Sequence, residues 1–102
     1  MKDYSPKYIN QVSEESADIY LYGDIDGDRI NGQDFAEEMH MLNQAGVKII
    51  NIHISSDGGL VTDGMAIFHS IFNSEAHTNT MIEGVAASIA GVIAMAGDTI
   101  SM

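Results

Sequence analysis

The stretch Glu83-Gly84-Val85-Ala86-Ala87-Ser88-Ile89-Ala90-Gly91 joins two apolar segments of different character. The residues before it, Thr80-Met81-Ile82, are typical of a buried strand, whereas the small and apolar residues from Ala86 to Ala96 predict a buried helix. Ser88 is therefore expected where a strand becomes a helix. Because the first N–H groups of a helix have no intrahelical partner, they can stabilise an oxyanion beside this hydroxyl. Exposure at a turn with amide donors beside it is what a serine nucleophile requires.

A purely structural role for Ser88 is the alternative. A serine within a helix commonly donates its hydroxyl to the carbonyl four residues earlier, which here belongs to Gly84. The general nucleophile-elbow pattern, G-x-S-x-G, is not met, because Ala86 and Ala90 occupy the two glycine positions. The local pattern alone favours the structural role, so the case for a nucleophile depends on the rest of the chain.

The composition excludes several classes of partner and site. The chain has 102 residues, enough for one small domain, and a formal net charge of −11 with only four Lys plus Arg. Such an acidic chain repels nucleic acids and anionic membranes, so we expect neither as a partner. The absence of cysteine excludes disulfides and thiolate metal sites.

No segment of the sequence resembles a targeting signal or a membrane span. The N-terminus up to Pro6 lacks the apolar core of a signal peptide. The longest uncharged apolar run, Val85 to Gly97, is shorter than the roughly 20 residues that a membrane helix requires. We therefore expect a cytoplasmic protein.

Apolar periodicity predicts four strands that alternate with three helices. Residues 1–16 are polar and are expected to form an N-terminal arm or loose turn, and residues 17–102 the βαβ domain. Strands are predicted at Ala17–Gly23, Val47–Ile54, Asn79–Gly84 and Asp98–Met102, and helices from an Asn31 cap to Ala45, over Val61–Asn73 and after Ser88. This alternation implies right-handed crossovers and a parallel sheet.

Helical spacing also predicts which side chains enter the core. The first helix presents Phe35, Met39 and Leu42 on one face, and Gly46 is expected to end it as a left-handed cap. The second helix is expected to bury Met65, Phe68 and either Ile71 or Phe72.

A glycine pair follows the second long strand. The loop Ser55–Gly59 and the turn at Ser88 both leave the carboxyl ends of parallel strands, where ligands bind in open α/β sheets. Gly58-Gly59 exposes backbone with no side chain in the way. A plausible site has Ser88 attacking a carbonyl while the N–H groups of Gly59 and Ile89 hold the oxyanion. The alternative is that the glycine pair only forms a tight turn.

Two linked motifs carry a resemblance that covers roughly Asp18 to Met102. Ser56-Asp57-Gly58-Gly59 is similar to the Ser-Pro-Gly-Gly element of the Clp protease proteolytic subunit family, with Asp57 in place of proline. Gly84-x-Ala86-Ala87-Ser88 is similar to the nucleophile motif of the same family. Val92–Asp98 resembles the phage and prophage branch, the ClpP-like head maturation proteases.

This resemblance implies a serine endopeptidase on the spiral of βαβ units that ClpP-like proteins share with crotonases, with the C-terminal part missing. It implies Ser88 as nucleophile, the N–H groups of Gly59 and Ile89 as oxyanion hole, and backbone pairing of an extended substrate with Gly59, Leu60 and Val61. No cofactor or metal is implied. The family assembles into homo-oligomeric rings; its housekeeping branch works with an ATP-dependent unfoldase, and its phage branch trims capsid or scaffold proteins.

The resemblance places the triad His about ten residues beyond Met102 and the Asp further on. Serine without a general base is a poor nucleophile at neutral pH, so the 102-residue chain alone is expected to be inactive. His40, His53, His69 and His77 are expected to be structural or surface residues, with His53 as the one possible substitute. A non-catalytic assembly protein, or pseudoprotease, of the same fold is the main alternative.

The acidic loop Asp24–Asp28 suggests calcium as a less favoured alternative. Asp24, Asp26 and Asp28 match positions one, three and five of an EF-hand loop. Arg29 stands at position six, where glycine is needed, and Phe35 at position twelve, where a bidentate Glu is needed. A solvated loop is therefore expected.

Overall fold

The computed structural model of the chain describes residues 6–102, which form five strands and three helices. The strands lie in one sheet in the order β1-β2-β3-β4-β5, with β1 antiparallel to β2 and all later pairs parallel. The predicted α/β architecture with a mostly parallel sheet is confirmed. The elements are β1 Ile9–Val12, β2 Ser16–Tyr22, α1 Gly32–Gln44, β3 Ile49–Ser56, α2 Val61–Phe72, β4 His77–Ala86, α3 Ile89–Ala94 and β5 Thr99–Ser101.

Strand alternation produces one buried face and one open face of the sheet. Ile19 and Leu21 of β2 are buried, whereas Tyr20 and Tyr22 point to the other side, as the sequence pattern predicted. The strand β3 alternates in the same way. Its Ile50, Ile52 and Ile54 are buried in the core with side chains from the helices. Each such side chain stabilises the fold by about 1.5–3 kcal/mol when fully buried.

The first helix begins and ends as its sequence predicts. Asn31 is the N-cap, and its Oδ1 accepts a hydrogen bond of 3.0 Å from the N–H of Asp34. Gly46 follows the helix with a φ of +80°, which glycine adopts without steric cost. The side chains of Phe35, Met39 and Leu42 are buried in the core, as predicted.

The sequence left open whether Ile71 or Phe72 of α2 enters the core, and the structure decides for Ile71. Ile71 is buried, whereas Phe72 is 65% exposed at the end of α2. Met65 and Phe68 are partly buried and pack against the core. Ile67, which the sequence analysis did not single out, is fully buried. The helices pack in sequence, α1 on α2 and α2 on α3.

The segment before β2 is more ordered than an arm or loose turn. Residues 1–5 of the predicted arm lie outside the described residues, but residues 9–12 form β1, and Tyr8 is only 5% exposed. The carboxylate of Glu38, fully buried on α1, accepts hydrogen bonds from the N–H groups of Lys7 (2.7 Å), Tyr8 (3.0 Å) and Ile9 (3.0 Å). This carboxylate fastens the segment to the helix layer.

The turn around Ser88 begins later than the sequence pattern suggested. The strand β4 continues to Ala86, and α3 starts only at Ile89 and comprises six residues. The helix predicted after Ser88 is found there, but Ala86, the first residue of the run expected to be helical, belongs to the strand, because alanine fits the end of a buried strand as well as a helix. The pairing of β4 with β3 shifts between Ile54–Ile82 and Ser56–Ala86, so extra residues bulge from β4 just before the turn.

Candidate active site

Ser88 occupies a strained turn between β4 and α3. Its φ of 57° and ψ of −128° make it the sole non-glycine residue with positive φ among residues 6–102. A residue in such a region costs about 1–3 kcal/mol, which surrounding contacts must offset. Ser88 is exposed, and its hydroxyl does not cap α3. The strand–turn–helix geometry is that of a nucleophile elbow, although the glycines of the general pattern are absent.

The structural alternative for Ser88 is not realised. No hydrogen bond joins its Oγ to the carbonyl of Gly84 within the described part of the chain, where β4 rather than helix precedes it. Ser70 of α2 shows the contrast, because its Oγ donates to the carbonyl oxygen of Ala66 at 2.9 Å. The Ser88 hydroxyl therefore has no side-chain hydrogen bond to another part of residues 6–102.

The glycine loop and the serine turn meet at one edge of the sheet, as the strand order predicted. A Cβ on Gly58 would lie 2.8 Å from the carbonyl oxygen of Ala87 and 3.0 Å from Cβ of Ser88. Only glycine permits this approach, and Gly58 also has a φ of +98°. The role of these residues in catalysis stays a prediction.

Ile25 fixes the position of Gly59. A Cβ on Gly59 would lie 2.1 Å from the carbonyl oxygen of Ile25, so glycine is required here. The N–H of Ile25 donates to the carbonyl of Gly58 at 2.9 Å, and the N–H of Leu60 donates to the carbonyl of Ile25 at 2.7 Å. The carbonyl of Leu60 accepts from the N–H of Gly64 at 3.0 Å. Of the three residues predicted to pair with substrate, Leu60 thus has both main-chain groups engaged, and Val61 is the first residue of α2. Gly59 takes part in none of these loop bonds.

Two backbone N–H groups near Ser88, those of Gly59 and Ile89, could serve as hydrogen-bond donors. Within residues 6–102, neither the N–H of Gly59 nor that of Ile89 donates to a backbone acceptor in the turns and loops. Ile89 is the first residue of α3, so its N–H has no partner inside the helix. Such free donors are what an oxyanion hole requires.

Ser56 links the glycine loop to the turn at Ser88 by hydrogen bonds. Its side chain is almost fully buried, and Oγ accepts from the N–H of Gly58 at 3.0 Å. Its carbonyl oxygen accepts from the N–H of Ala87 at 3.1 Å. The sequence analysis noted Ser56 only as part of a motif. The signal that could have identified its role is a hydroxyl two residues before a glycine, which commonly accepts from that N–H.

His53 does not face Ser88. Its Nδ1 lies 2.6 Å from Oε2 of Glu83, and its Nε2 lies 3.4 Å from Oδ1 of Asp18. The ring also stacks on Tyr20, with centroids 4.3 Å apart and planes 5° from parallel. Both nitrogens thus face carboxylates on the open face of the sheet. Within residues 6–102, no hydrogen bond joins a histidine to the Ser88 hydroxyl.

The contacts of Glu83 extend this cluster. Tyr22 donates its hydroxyl to Oε1 of Glu83, and His53 contacts the other carboxylate oxygen. The hydrogen bond from Tyr22, followed by that from His53, lowers the pKa of Glu83. The same bond raises the pKa of Tyr22.

In the acidic loop, backbone N–H groups donate hydrogen bonds to the carboxylate of Asp26. Oδ1 of Asp26 accepts from the N–H groups of Asp28 (2.9 Å) and Arg29 (2.7 Å), and these bonds lower the pKa of Asp26. No three metal-ligating side chains come together anywhere from residue 6 to residue 102. The geometry gives the calcium alternative no support.

Comparisons with known proteins relate the chain to one family. The family model for Clp protease matches residues 4–101. The ATP-dependent Clp protease proteolytic subunit of Ligilactobacillus salivarius (strain UCC118) is 33% identical over 104 aligned positions, which cover 90% of this chain and 52% of that protein. The subunit of the same name from Cyanophora paradoxa is 30% identical over 79 residues, covering 78% and 41%.

Solved structures show the same fold. The ClpP protease catalytic domain from Plasmodium falciparum superposes with a TM-score of 0.71 at 27% identity, covering 79% of this chain and 45% of that one. ClpP1 from Listeria monocytogenes gives 0.72 at 25% identity, covering 78% and 46%. The chain spans about half the length of the curated relatives it matches. With the family model matched over nearly all of its residues, this chain belongs to the Clp protease family.

Proposed function

We propose that this chain carries the nucleophile and oxyanion hole of a serine endopeptidase of the Clp proteolytic subunit type. The observation that supports this most directly is the strained, exposed turn at Ser88, packed against Gly58. Strain of this kind persists only where surrounding structure holds it, and it is concentrated at functional sites.

In the proposed reaction, Ser88 Oγ attacks the carbonyl carbon of a peptide bond and its proton passes to a general base. The N–H groups of Gly59 and Ile89 stabilise the oxyanion of the tetrahedral intermediate. Collapse of this intermediate expels the amine, which takes up the proton, and leaves an acyl group on Ser88. Water, deprotonated by the same base, then releases the acid and restores the hydroxyl.

The base in this proposal is a histidine from outside residues 6–102, oriented by an aspartate. It is expected beyond Met102 or from a second subunit, since His53 has both ring nitrogens directed at carboxylates. Without it, acyl transfer would be weak, because serine needs a proton acceptor at neutral pH.

An extended peptide is the proposed substrate. Leu60 has its main-chain groups bonded to Ile25 and Gly64, and the carbonyl of Val61 belongs to the first turn of α2. Strand addition would therefore use the main-chain groups of Gly59 and the N–H of Val61. Main-chain pairing of this kind recognises backbone more than sequence.

Assembly into a homo-oligomeric ring with an ATP-dependent unfoldase is the proposed context, in the cytoplasm. A phage or prophage role in trimming capsid or scaffold proteins is the finer proposal, supported by the pattern of Val92–Asp98.

No helix within residues 6–102 is long and apolar enough to cross a membrane.

A second candidate is a non-catalytic assembly protein of the same fold. The observation that favours it is the engagement of His53 on the open face, which leaves Ser88 without a histidine partner in residues 6–102.

A fluorophosphonate probe separates the two candidates. It is applied to the chain and to any in-frame product that continues past Met102, because the histidine is expected there. Labelling of the wild type and of Ser70→Ala, but not of Ser88→Ala, would support the protease. A stop codon after Met102, together with a folded chain that is not labelled, would favour the assembly protein.

A further inference from the structure

A cavity lies away from the serine turn, between β1, the end of β2 and the loop before α1. Its volume is about 410 Å³, within the range of small-ligand sites. None of its lining residues belongs to the glycine loop or to the turn at Ser88. Those that matter here are two basic side chains, Lys7 and Arg29, two rings, Tyr20 and Tyr22, and the aliphatic Ile9 and Ile30.

The basic side chains are unusual in so acidic a chain. The sequence holds four Lys plus Arg against 15 Asp plus Glu, yet two of the four line this one cavity. The Nζ of Lys7 lies 2.6 Å from Oδ2 of Asp34, and this bond raises the pKa of Lys7. That ion pair neutralises the charge of Lys7.

Arg29 differs, because no carboxylate forms an ion pair with its guanidinium within residues 6–102. Its aliphatic stem lies across Gly23, where an added Cβ would sit 2.8 Å from Cδ of Arg29. The side chain is therefore placed by the backbone of the loop, and its guanidinium N–H groups donate to no acceptor within residues 6–102. Among residues 6–102, Arg29 therefore brings to the cavity a positive charge that takes part in no ion pair.

The rings of Tyr20 and Tyr22 are held in place by contacts with residues that do not line the cavity. Tyr20 stacks on His53, and Tyr22 donates its hydroxyl to Glu83. The two tyrosine rings meet edge to face, with centroids 5.5 Å apart. Because these contacts fix the rings before any ligand arrives, little side-chain freedom is lost on binding.

We propose that this cavity binds a carboxylate monoanion carried on an aromatic or apolar group. The planar guanidinium of Arg29 matches a carboxylate with two parallel hydrogen bonds, and the rings of Tyr20 and Tyr22 contact the apolar body. A phosphate dianion fits less well, because within residues 6–102 Arg29 is the one basic side chain of the lining outside an ion pair, and the chain as a whole carries −11. A free aromatic acid and the C-terminal residue of a peptide share this chemistry.

A matched pair of probes tests the charge requirement. N-acetylphenylalanine carries the carboxylate, and N-acetylphenylalaninamide keeps the ring but lacks the charge. We expect the acid to bind about tenfold more tightly, as measured by NMR shifts of the Gly23 amide and the Tyr20 and Tyr22 rings. Arg29→Gln should abolish this preference. Lys48→Gln, which removes the same charge from an exposed site outside the cavity, should retain it.

Further probes identify the source of the carboxylate. A tripeptide ending in phenylalanine that binds more tightly than the single residue would assign the site to peptide C-termini, and equal binding would assign it to free acids. The proposal is overturned if acid and amide bind alike, if neither shifts these signals, if Arg29→Gln and Lys48→Gln behave alike, or if inorganic phosphate binds more tightly than the acid.

Discussion

Gly64 of α2 lies directly against Ile89, the first residue of α3. A Cβ at position 64 would lie 2.2 Å from Cγ1 of Ile89, closer than any real contact allows. The N–H of Ile89 is one of the two candidate oxyanion donors. The packing of α2 against Ile89 therefore helps to set the position of this donor.

We expect Gly64→Ala to reduce the free energy of unfolding by about 1–3 kcal/mol, because the added methyl group overpacks a buried contact. It should also reduce fluorophosphonate labelling of any active form, since Ile89 must move. Urea denaturation measures the first effect. Thr62→Ala, at an exposed position of the same helix, should stay within about 0.5 kcal/mol of the wild type. Equal stability of the two variants would show that the contact is looser than described.

Ser88→Gly should be more stable than Ser88→Ala by about 1 kcal/mol, because glycine adopts a φ of 57° without steric cost whereas alanine retains the strain. For a domain of this size, each kcal/mol raises Tm by about 4–8 °C. Both variants should lose probe labelling. If alanine is as stable as glycine in a thermal scan, the turn at Ser88 is not strained.

The carboxylate of Glu83 should contribute to the pH dependence of stability. Its pKa in the folded protein is lowered from 4.5 by Tyr22 and then His53, so its contribution is present above about pH 4.5 and is lost as the pH falls through the lower folded value. We expect Glu83→Gln to lose less stability than the wild type on acidification over that range. Urea denaturation at several pH values measures this, with Glu75→Gln at an exposed site as control. Identical acid limbs for wild type and Glu83→Gln would contradict the prediction.

Glu38→Gln should loosen the segment before β2. One amide oxygen replaces a carboxylate that accepts three backbone N–H groups, and each buried donor left without an acceptor costs about 1–3 kcal/mol. Hydrogen exchange at the amides of Lys7, Tyr8 and Ile9 should accelerate before global unfolding. Glu37→Gln, one residue earlier and exposed, should leave exchange unchanged. Equal protection in both variants would mean that Glu38 is not the anchor.

Much of the fold follows from local sequence. The period-two pattern of β2 and β3 and the helical spacing of Phe35, Met39 and Leu42 predicted buried faces that the structure shows. The strand β1 escaped prediction because its residues are mostly exposed and its order depends on Glu38, a side chain about thirty residues away. Local pattern cannot show that the Glu38 carboxylate is buried against three N–H groups from a distant part of the chain.

The site was predictable in part for the same reason. The strand order placed the loop at Gly58 and the turn at Ser88 on one edge, which required only the rule for parallel strands. The positive φ of Ser88 and the bulge in β4 were not predictable, because small residues such as Ala86 and Ala87 fit strand, turn and helix alike. The engagement of His53 arises from Asp18 and Glu83 on neighbouring strands, a pairing that register decides.

The sequential strand order has a consequence for how the chain acquires its structure during synthesis. Each strand from β2 onwards pairs with the strand that precedes it in sequence, so every new strand–helix unit meets an edge that already exists. Each parallel pairing joins consecutive strands, whose partners, such as Ser16 with Ile49 and Asn79 with Thr99, lie within about one strand–helix unit of each other. A nascent chain leaving the ribosome N-terminus first can therefore build this sheet one unit at a time, and the serine turn takes shape only after the glycine loop it packs against is in place.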